Sequence, residues 1–245
     1  MITINKLEKS FNKNHVLKGV DLEVRGSGIF AILGPNGSGK TTIIKTILGM
    51  VIPDGGSIEL DGKNIKGNWS YRNSIGYLPQ IAHFPENLTV KEVIKMVKDI
   101  RGKRGDEQPL VERFGLQPFM SSRLRNLSGG TRQKVNIVLC FMFDSKYIIL
   151  DEPTAGLDPV AMITLKELIH EEKKNGKTIL LTTHIMELVE ELADEIVFLL
   201  EGKIFFRGTL QDMQEMTGEA KLERSIARIL LRNNHESKEV ITVKA

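Results

Sequence analysis

Nine residues decide the fold class: Gly34-Pro35-Asn36-Gly37-Ser38-Gly39-Lys40-Thr41-Thr42. They match the phosphate-loop pattern G-x-x-x-x-G-K-[ST], whose glycines let successive backbone N–H groups point at phosphate oxygens. An apolar run over 29–33 precedes them and predicts a buried strand, and apolar residues at helical spacing follow over 41–49. Because strand, glycine-rich turn and helix form the context that this motif requires, we predict a nucleoside triphosphate site. The alternative is a glycine-rich turn with a surface lysine.

Four side chains carry the chemistry expected at such a site. Lys40 is placed to reach the β- and γ-phosphates, and the Thr41 hydroxyl is a candidate Mg²⁺ ligand. A second apolar strand, over 148–150, ends in two acids, Asp151 and Glu152. We predict that Asp151 holds Mg²⁺ from the side opposite Thr41, and that Glu152 polarises the attacking water as general base. The alternative is a strand end that carries two surface acids.

Composition limits the function classes. The chain has 245 residues, which suits one large α/β domain with or without a subdomain, and a net charge of only +3, too small to favour nucleic acid as the partner. Cys140 is the only cysteine, so no internal disulfide is expected, and its apolar neighbours predict a buried filler in a reducing compartment. The N-terminal residues predict no signal peptide, and we expect no membrane span because no apolar run approaches the ~20 residues that cross a bilayer. If this protein works at a membrane, we expect another chain to hold it there.

The order of elements predicts an α/β fold with a parallel ATP-binding sheet and an antiparallel β subdomain. A helical insertion over about 82–140 interrupts the sheet, and within it Thr89 and Glu92 form a capping-box signature. We assign 1–217 to the nucleotide-binding domain and 218–245 to a C-terminal extension. An apolar helical stripe predicts that this extension packs on the domain or on a partner, with disorder beyond Asn233. Strands are predicted over 2–7, 20–25, 29–33, 57–60, 74–78, 147–150, 178–182, 195–200 and 204–207.

The segment 127–133, Leu-Ser-Gly-Gly-Thr-Arg-Gln, resembles the signature motif of ATP-binding-cassette (ABC) ATPases, and the resemblance covers residues 1 to about 215. Ser128 is predicted to cap a helix whose N-terminal Gly129 and Gly130 expose N–H groups, an anion site. Standing alone, the motif would be an ordinary serine cap. The resemblance implies that these residues close over the γ-phosphate of ATP held by a second copy, in a head-to-tail dimer. The family usually has glutamine where this chain has Thr131, and we expect function to survive that change.

Four further positions take roles from the same resemblance. Gln80 resembles the glutamine that reaches Mg²⁺ and the attacking water, in a loop that senses the membrane partner. His184 resembles the switch histidine that contacts the γ-phosphate, although a lone histidine after a strand is more often structural. Asp158 resembles the loop that crosses the dimer, and it is also a plausible helix cap. Phe11 falls where the family places an aromatic ring against adenine, with core packing as the alternative.

These parts together predict an active ATPase that uses ATP and Mg²⁺. ATP binding is expected to close the dimer, and phosphate release to reopen it. We predict a transporter motor docked on a separate integral-membrane permease at the cytoplasmic face of the inner (plasma) membrane. A soluble ABC ATPase usually carries two cassettes or a long coiled-coil insertion, and a module without turnover would lack Glu152 or His184. These 245 residues show neither a second cassette nor a long coiled-coil insertion, and both Glu152 and His184 are present.

Three segments suggest a subgroup: 81–89, 127–136 and 217–227 resemble the ATPase subunit of the Nos-type transporter for copper-site maturation of nitrous-oxide reductase. That resemblance implies a polytopic permease and a periplasmic copper-handling protein as partners. The alternative is a general exporter of drugs, lipids or polysaccharides. We expect no copper ligands in this chain, because Cys140 and the histidines at 15, 83, 170, 184 and 235 form no pair at ligand spacing.

Overall fold

Two β-sheets and the helices around them make up the computed structural model, which describes residues 1–231. The strands are β1 (Ile2–Phe11), β2 (Asn14–Val24), β3 (Gly28–Leu33), β4 (Gly55–Leu60), β5 (Lys63–Asn64), β6 (Ile75–Leu78), β7 (Tyr147–Asp151), β8 (Thr178–Thr182), β9 (Glu195–Leu200) and β10 (Lys203–Gly208). The helices are α1 (Lys40–Ile47), α2 (Val90–Arg101), α3 (Gln108–Arg113), α4 (Gly129–Phe141), α5 (Pro159–Lys174), α6 (Met186–Leu192), α7 (Leu210–Thr217) and α8, over 222–231.

The larger sheet has the strand order β10-β9-β3-β8-β7-β6. All of its neighbouring strands run parallel except β10, which pairs antiparallel with β9. Every residue of β3, β7 and β8 is buried, as continuous apolar runs predict for parallel strands covered on both faces. Because these three strands are adjacent and parallel, the residues that follow their carboxyl ends meet at one edge of the sheet.

The smaller sheet is antiparallel, in the order β2-β1-β4-β5. Its apolar face, α1 and one face of the larger sheet form a single buried cluster, in which Ile43, Ile44 and Ile47 of α1 take part. Helix α1 is therefore fixed by packing immediately after the phosphate loop. The predicted α/β arrangement, with an antiparallel sheet beside a parallel one, is confirmed.

The segment between β6 and β7 is helical, and it packs with α5 on the other face of the larger sheet. Thr89 caps α2, and the capping box is complete: Thr89 N donates to Glu92 Oε2 at 2.8 Å, and Glu92 N donates to Thr89 Oγ1 at 3.3 Å. These contacts confirm the predicted helix start. The division of the chain into a domain, an inserted subdomain and an extension stays a prediction.

Helix α8 lies on the body of the protein. Leu222 and Ile229, 0% and 4% exposed, belong to a buried cluster with Leu33 of β3, Phe198 of β9 and Met213 of α7. The apolar stripe was predicted to pack either on the domain or on a partner, and in the structure it packs on the domain. The prediction made for residues beyond Asn233 lies outside the described residues.

Two expectations from composition can be compared with the structure. Cys140 is 3% exposed inside α4, and burial raises the pKa of its thiol well above the usual range, so it is the buried filler that its neighbours predict. Within residues 1–231, no helix is both long enough and apolar enough to cross a membrane.

Candidate ATP site

The phosphate loop joins β3 to α1 through backbone that only glycine accommodates. Gly34 has φ 150°, and a Cβ placed there would lie 2.1 Å from the Leu199 carbonyl oxygen and 2.6 Å from Ser38 Oγ. Gly39, at φ 108°, is the residue before α1, and a Cβ there would lie 2.7 Å from Leu17 Cδ2. The loop therefore turns tightly against β9 and β2, and it presents the N-terminus of α1 at the sheet edge.

Lys40 is held over this loop. Its Nζ donates to the carbonyl oxygens of Gly34 at 2.7 Å and of Pro35 at 3.1 Å. Burial lowers the pKa of the Lys40 ammonium, while the nearby charges of Glu152 and Asp151 oppose that shift. The site thus holds a partly desolvated cation within electrostatic range of two acids.

Ser38 provides a test of whether a phosphate fits the loop. The side chain is buried, 3% exposed, and its Oγ has no hydrogen-bond partner among the described residues. A buried hydroxyl without a hydrogen-bond partner lowers the stability of the fold. A ligand in the loop that accepts a hydrogen bond from Ser38 Oγ would remove that cost. Thr41 and Thr42, half-buried in the first turn of α1, lie beside Ser38. The loop therefore fits a bound phosphate.

Asp151 ends β7 and is 4% exposed. Its Oδ1 accepts a hydrogen bond of 2.5 Å from the Thr182 hydroxyl at the end of the neighbouring strand β8. This bond fixes one carboxylate oxygen, so the side chain has a defined orientation beside Lys40.

Glu152 comes next, with φ 51°, a left-handed conformation that is uncommon for a residue with a side chain. Its side chain is 14% exposed, and Oε2 lies 2.9 Å from His184 Nδ1. The His184 side chain is 82% exposed, so the pair has a partly buried carboxylate and an accessible imidazole. The structure thus brings together two of the three predicted catalytic residues, from the ends of β7 and β8.

Gln80, the third, is exposed and lies just beyond β6, at the edge of the sheet next to β7. Among the described residues its side chain makes no hydrogen bond with Asp151, Glu152 or His184. Phe11, at the end of β1, is 46% exposed, with Lys9 Nζ 5.3 Å from the ring centre. Because nearly half of Phe11 is accessible, the alternative that it fills the core is wrong.

The signature segment lies at the N-terminus of α4. Ser128 caps this helix, with Oγ accepting from Thr131 N at 3.2 Å and bonded to Thr131 Oγ1 at 2.8 Å. Ser128 and Gly129 are exposed, whereas a Cβ at Gly130 would lie 2.6 Å from the Gly156 carbonyl oxygen. Within residues 1–231, the segment makes no hydrogen bond or ion pair with the phosphate loop. The structure therefore does not join the two anion sites within one chain.

Contacts of α4 instead reach the loop after Glu152. Gln133 Nε2 donates to the Pro153 carbonyl at 2.9 Å, and Lys134 forms an ion pair of 2.7 Å with Asp158. Asp158 also caps α5, accepting from Ala161 N at 2.9 Å, and these two interactions hold the pKa of its carboxyl below the usual range. The alternative role of Asp158 as a helix cap is confirmed.

Sequence reasoning missed two contributors to this site, Thr182 and Gln133. Thr182 is the last residue of an apolar strand, and no local pattern pairs it with Asp151. Gln133 did leave a signal: it shares a helical face with Ile137, Cys140 and Phe141, all buried. A polar residue on an apolar stripe usually has a specific hydrogen-bond partner.

The family profile described as "ABC transporter" matches residues 17–155, more than half of the 245-residue chain. The chain belongs to the ABC transporter family. This cassette is therefore an ATP-binding ATPase subunit of the kind that ABC transporters use. The fold class predicted from the sequence, a P-loop NTPase of the ABC type, is confirmed.

Curated relatives share most of the cassette. It is 35% identical to the lantibiotic transport ATP-binding protein SrtF of Streptococcus pyogenes, over 83% of this chain and 89% of SrtF. It is 32% identical to the ABC-type transporter ATP-binding protein EcsA of Bacillus subtilis, over 89% and 91%. The Nod factor export ATP-binding protein I of Ralstonia nicotianae is 34% identical, over 85% and 67%.

Solved structures agree with these relatives. An ATP-binding subunit of an ABC transporter superposes with a TM-score of 0.88 at 32% identity, covering 94% of this chain and 99% of that one. A dimeric ATP-binding cassette in a post-hydrolysis state, bound to ADP and Pi, gives a TM-score of 0.77 at 23% identity, covering 86% and 99%. At that lower identity, the second likeness shows the shared fold.

Proposed function

We propose that this cassette is the ATP-hydrolysing motor of a transporter, acting as a head-to-tail homodimer on a separate integral-membrane permease. One observation carries the proposal: the Glu152–His184 pair, at 2.9 Å, stands beside Lys40 of the phosphate loop, whereas among the described residues the signature segment makes no hydrogen bond or ion pair with that loop. A catalytic pair beside the phosphate loop and a separate, unmatched anion site in one chain are what a two-copy site requires. The proposed location is the cytoplasmic face of the plasma membrane.

In this proposal, ATP lies on the phosphate loop with its adenine against the exposed ring of Phe11. Backbone N–H groups around the loop and the α1 N-terminus bind the phosphates, and Lys40 contributes its charge. Residue by residue, the nucleotide-binding set is Phe11, Gly34, Asn36, Gly37, Ser38, Gly39, Lys40, Thr41 and Thr42 from one copy, with Ser128, Gly129, Gly130 and Asp158 from the other.

Oxygen donors for Mg²⁺ come from three elements: the Thr41 hydroxyl, the Asp151 carboxylate and the Gln80 side-chain amide. Hydroxyl, carboxylate and amide oxygens are the hard ligands that this ion prefers, so the donor set fits it. When bound, Mg²⁺ would neutralise charge on the β- and γ-phosphates. Thr182, by fixing one oxygen of Asp151, would leave the other available.

Glu152 is proposed as general base and His184 as a contact to the γ-phosphate. The carboxylate would accept a proton from the water that attacks γ-phosphorus, while the hydrogen bond to Nδ1 orients the imidazole. The His184 ring is 82% exposed, so a phosphate oxygen can reach its second nitrogen. Phosphate release would then weaken the closed dimer, since the signature segment binds the γ-phosphate in the partner's site.

In this proposal the permease determines which substrate is transported. Two narrower proposals concern that substrate. The names of SrtF and the Ralstonia protein speak of lantibiotic transport and Nod factor export, which favours a general exporter. The resemblance of 81–89, 127–136 and 217–227 to the Nos-type subunit supports copper-site maturation of nitrous-oxide reductase, with a periplasmic copper-handling partner. Neither SrtF, EcsA nor the Ralstonia protein carries that role in its name, so it stays a prediction.

Co-purification decides between these two. The tagged chain, extracted in mild detergent from its own membranes, would be analysed by mass spectrometry. A permease together with a periplasmic copper-handling protein supports the copper proposal, and a permease alone supports a general exporter. Ribosomal or DNA-bound partners would instead favour a soluble ABC ATPase outside transport.

The catalytic assignment is tested by Glu152→Gln. Because glutamine cannot accept the proton, we expect turnover to fall by about 100-fold or more, while ATP affinity stays within about twofold. Glu167→Gln, at an exposed glutamate of α5, is the matched control and should hydrolyse ATP at the parental rate. Undiminished hydrolysis by Glu152→Gln would remove Glu152 from the mechanism.

A further inference from the structure

We propose that Gln133 is a positioning residue for hydrolysis, setting the place of Glu152 through the Pro153 carbonyl. This rests on the proposed role of Glu152 as base. Gln133 lies in the second turn of α4 and is 6% exposed. Its Nε2 donates to Pro153 O at 2.9 Å, one residue beyond the carboxylate that faces His184.

Glu152 needs such support because its backbone is strained. A residue with a side chain keeps a left-handed φ of 51° only where its surroundings fix it. On the upstream side, Glu152 N donates to the Thr182 carbonyl at 3.0 Å. On the downstream side, the Glu152 carbonyl accepts from Ala155 N at 3.3 Å within the same loop, and Pro153, which has no N–H, can be held to another element only through its carbonyl. Gln133 supplies that anchor.

The Gln133 amide is itself oriented. Asn136 Nδ2, one turn along α4, donates to Gln133 Oε1 at 3.4 Å, which turns the NH₂ group towards Pro153. Ile137, Cys140 and Phe141 complete the buried face of the helix on which Gln133 lies. A polar group buried on such a face is costly unless it is bonded, so the side chain has one favourable arrangement.

The contact also ties the base to the signature helix. Gly130 packs under the Gly156 carbonyl, and Lys134 pairs with Asp158, so α4 holds three points of the segment after Glu152. Any shift of α4 when Ser128 and Gly129 meet a ligand is therefore passed through Gln133 to the base. The positioning role thus links the α4 N-terminus to the chain's own carboxylate.

Gln133→Met tests this role, since methionine keeps the length of glutamine and loses its donor. We expect kcat to fall about 10- to 100-fold, with ATP affinity within about twofold of the parent, because only the base is displaced. In the Glu152→Gln background, measured in a single turnover, the same change should alter the residual rate by less than about twofold. Ile137→Val, a buried change in the same helix that leaves the Gln133–Pro153 hydrogen bond in place, should keep kcat.

The outcomes separate the two claims. An equal fold-loss from Gln133→Met in both backgrounds, or a parallel loss of ATP affinity, would overturn the positioning role and leave the base assignment standing. Full turnover by Glu152→Gln alone would overturn both. Should Gln133→Met not fold, Asn136→Ala keeps the glutamine and removes its orienting partner. It should lower kcat about threefold in the parent and not in Glu152→Gln, and equal losses would again overturn the role.

Discussion

The phosphate loop and the signature segment are both candidate anion sites at helix N-termini. They differ in how much of each site is formed by contacts within this one chain. The base of the phosphate loop is enclosed, although its tip over 35–37 is exposed: Ser38 is 3% exposed and Lys40 lies across the Gly34 and Pro35 carbonyls. The signature segment is open, since Ser128 and Gly129 are exposed and a Cβ at Gly129 would meet nothing within 4 Å. An enclosed site can bind its ligand alone, whereas an open one contributes a face to a ligand bound elsewhere.

The largest expected effect comes from breaking the enclosed site with Gly34→Ala. The added Cβ would meet the Leu199 carbonyl at 2.1 Å, so the loop must move away from β9. We expect ATP affinity to fall by about 100-fold or more, because steric overlap adds to left-handed strain. Binding of a fluorescent ATP analogue measures it.

Gly37→Ala is the matched control for that loop. Gly37 also has a left-handed φ, 82°, but a Cβ there meets nothing within 4 Å. Backbone strain of about 1–2 kcal/mol is then the only cost, so ATP affinity should fall by about 30-fold or less. Equal losses in the two variants would show that close approach to β9 is not what shapes the loop.

The open site is tested by Gly129→Ala against Gly130→Ala. At Gly129 we expect the melting temperature to hold or rise, since alanine favours a helix by about 1 kcal/mol, and ATP affinity to stay unchanged while turnover falls about tenfold. At Gly130, a Cβ 2.6 Å from the Gly156 carbonyl should lower the melting temperature as well. Calorimetry and steady-state ATPase assays separate the two. Parental turnover in Gly129→Ala would contradict a role for this open face.

The smallest effect is expected for Thr131→Gln, which restores the residue usual in the family. The change removes an exposed bond between the Thr131 and Ser128 hydroxyls but keeps the backbone cap from Thr131 N. Turnover should stay within about fivefold, since a surface hydrogen bond contributes about 1 kcal/mol or less. A tenfold change in either direction would mean that Thr131 itself shapes the signature site.

A structural feature could be predicted from the sequence where the residues that cause it lie close together in the chain. The capping box at Thr89, the Asp158 cap of α5 and the turn of the phosphate loop depend on residues within a few positions, and each was predictable. Most strands were predicted from short apolar or alternating runs, although β1 and β2 are longer than the predicted 2–7 and 20–25, and the two-residue β5 was not predicted. Their order in the sheet depends on pairings between distant segments, which no single run contains.

The site shows the same limit. Glu152 was predicted from its position at the end of a strand and His184 from a family resemblance, but their direct contact depends on β7 and β8 being neighbours. The left-handed backbone of Glu152 and the Gln133–Pro153 bond could not be predicted from sequence, because glutamate rarely adopts that conformation and the bond spans 20 positions.

The central claim, that the open face of one copy completes the enclosed site of another, is tested most directly by the mass of Glu152→Gln in solution. Size-exclusion chromatography with light scattering would compare this variant with and without saturating Mg-ATP. We predict a monomer without nucleotide and a dimer with ATP, and the added Gly129→Ala change should lower the fraction of that dimer. A Glu152→Gln cassette that binds ATP and remains monomeric, or a dimer indifferent to Gly129→Ala, would contradict the account.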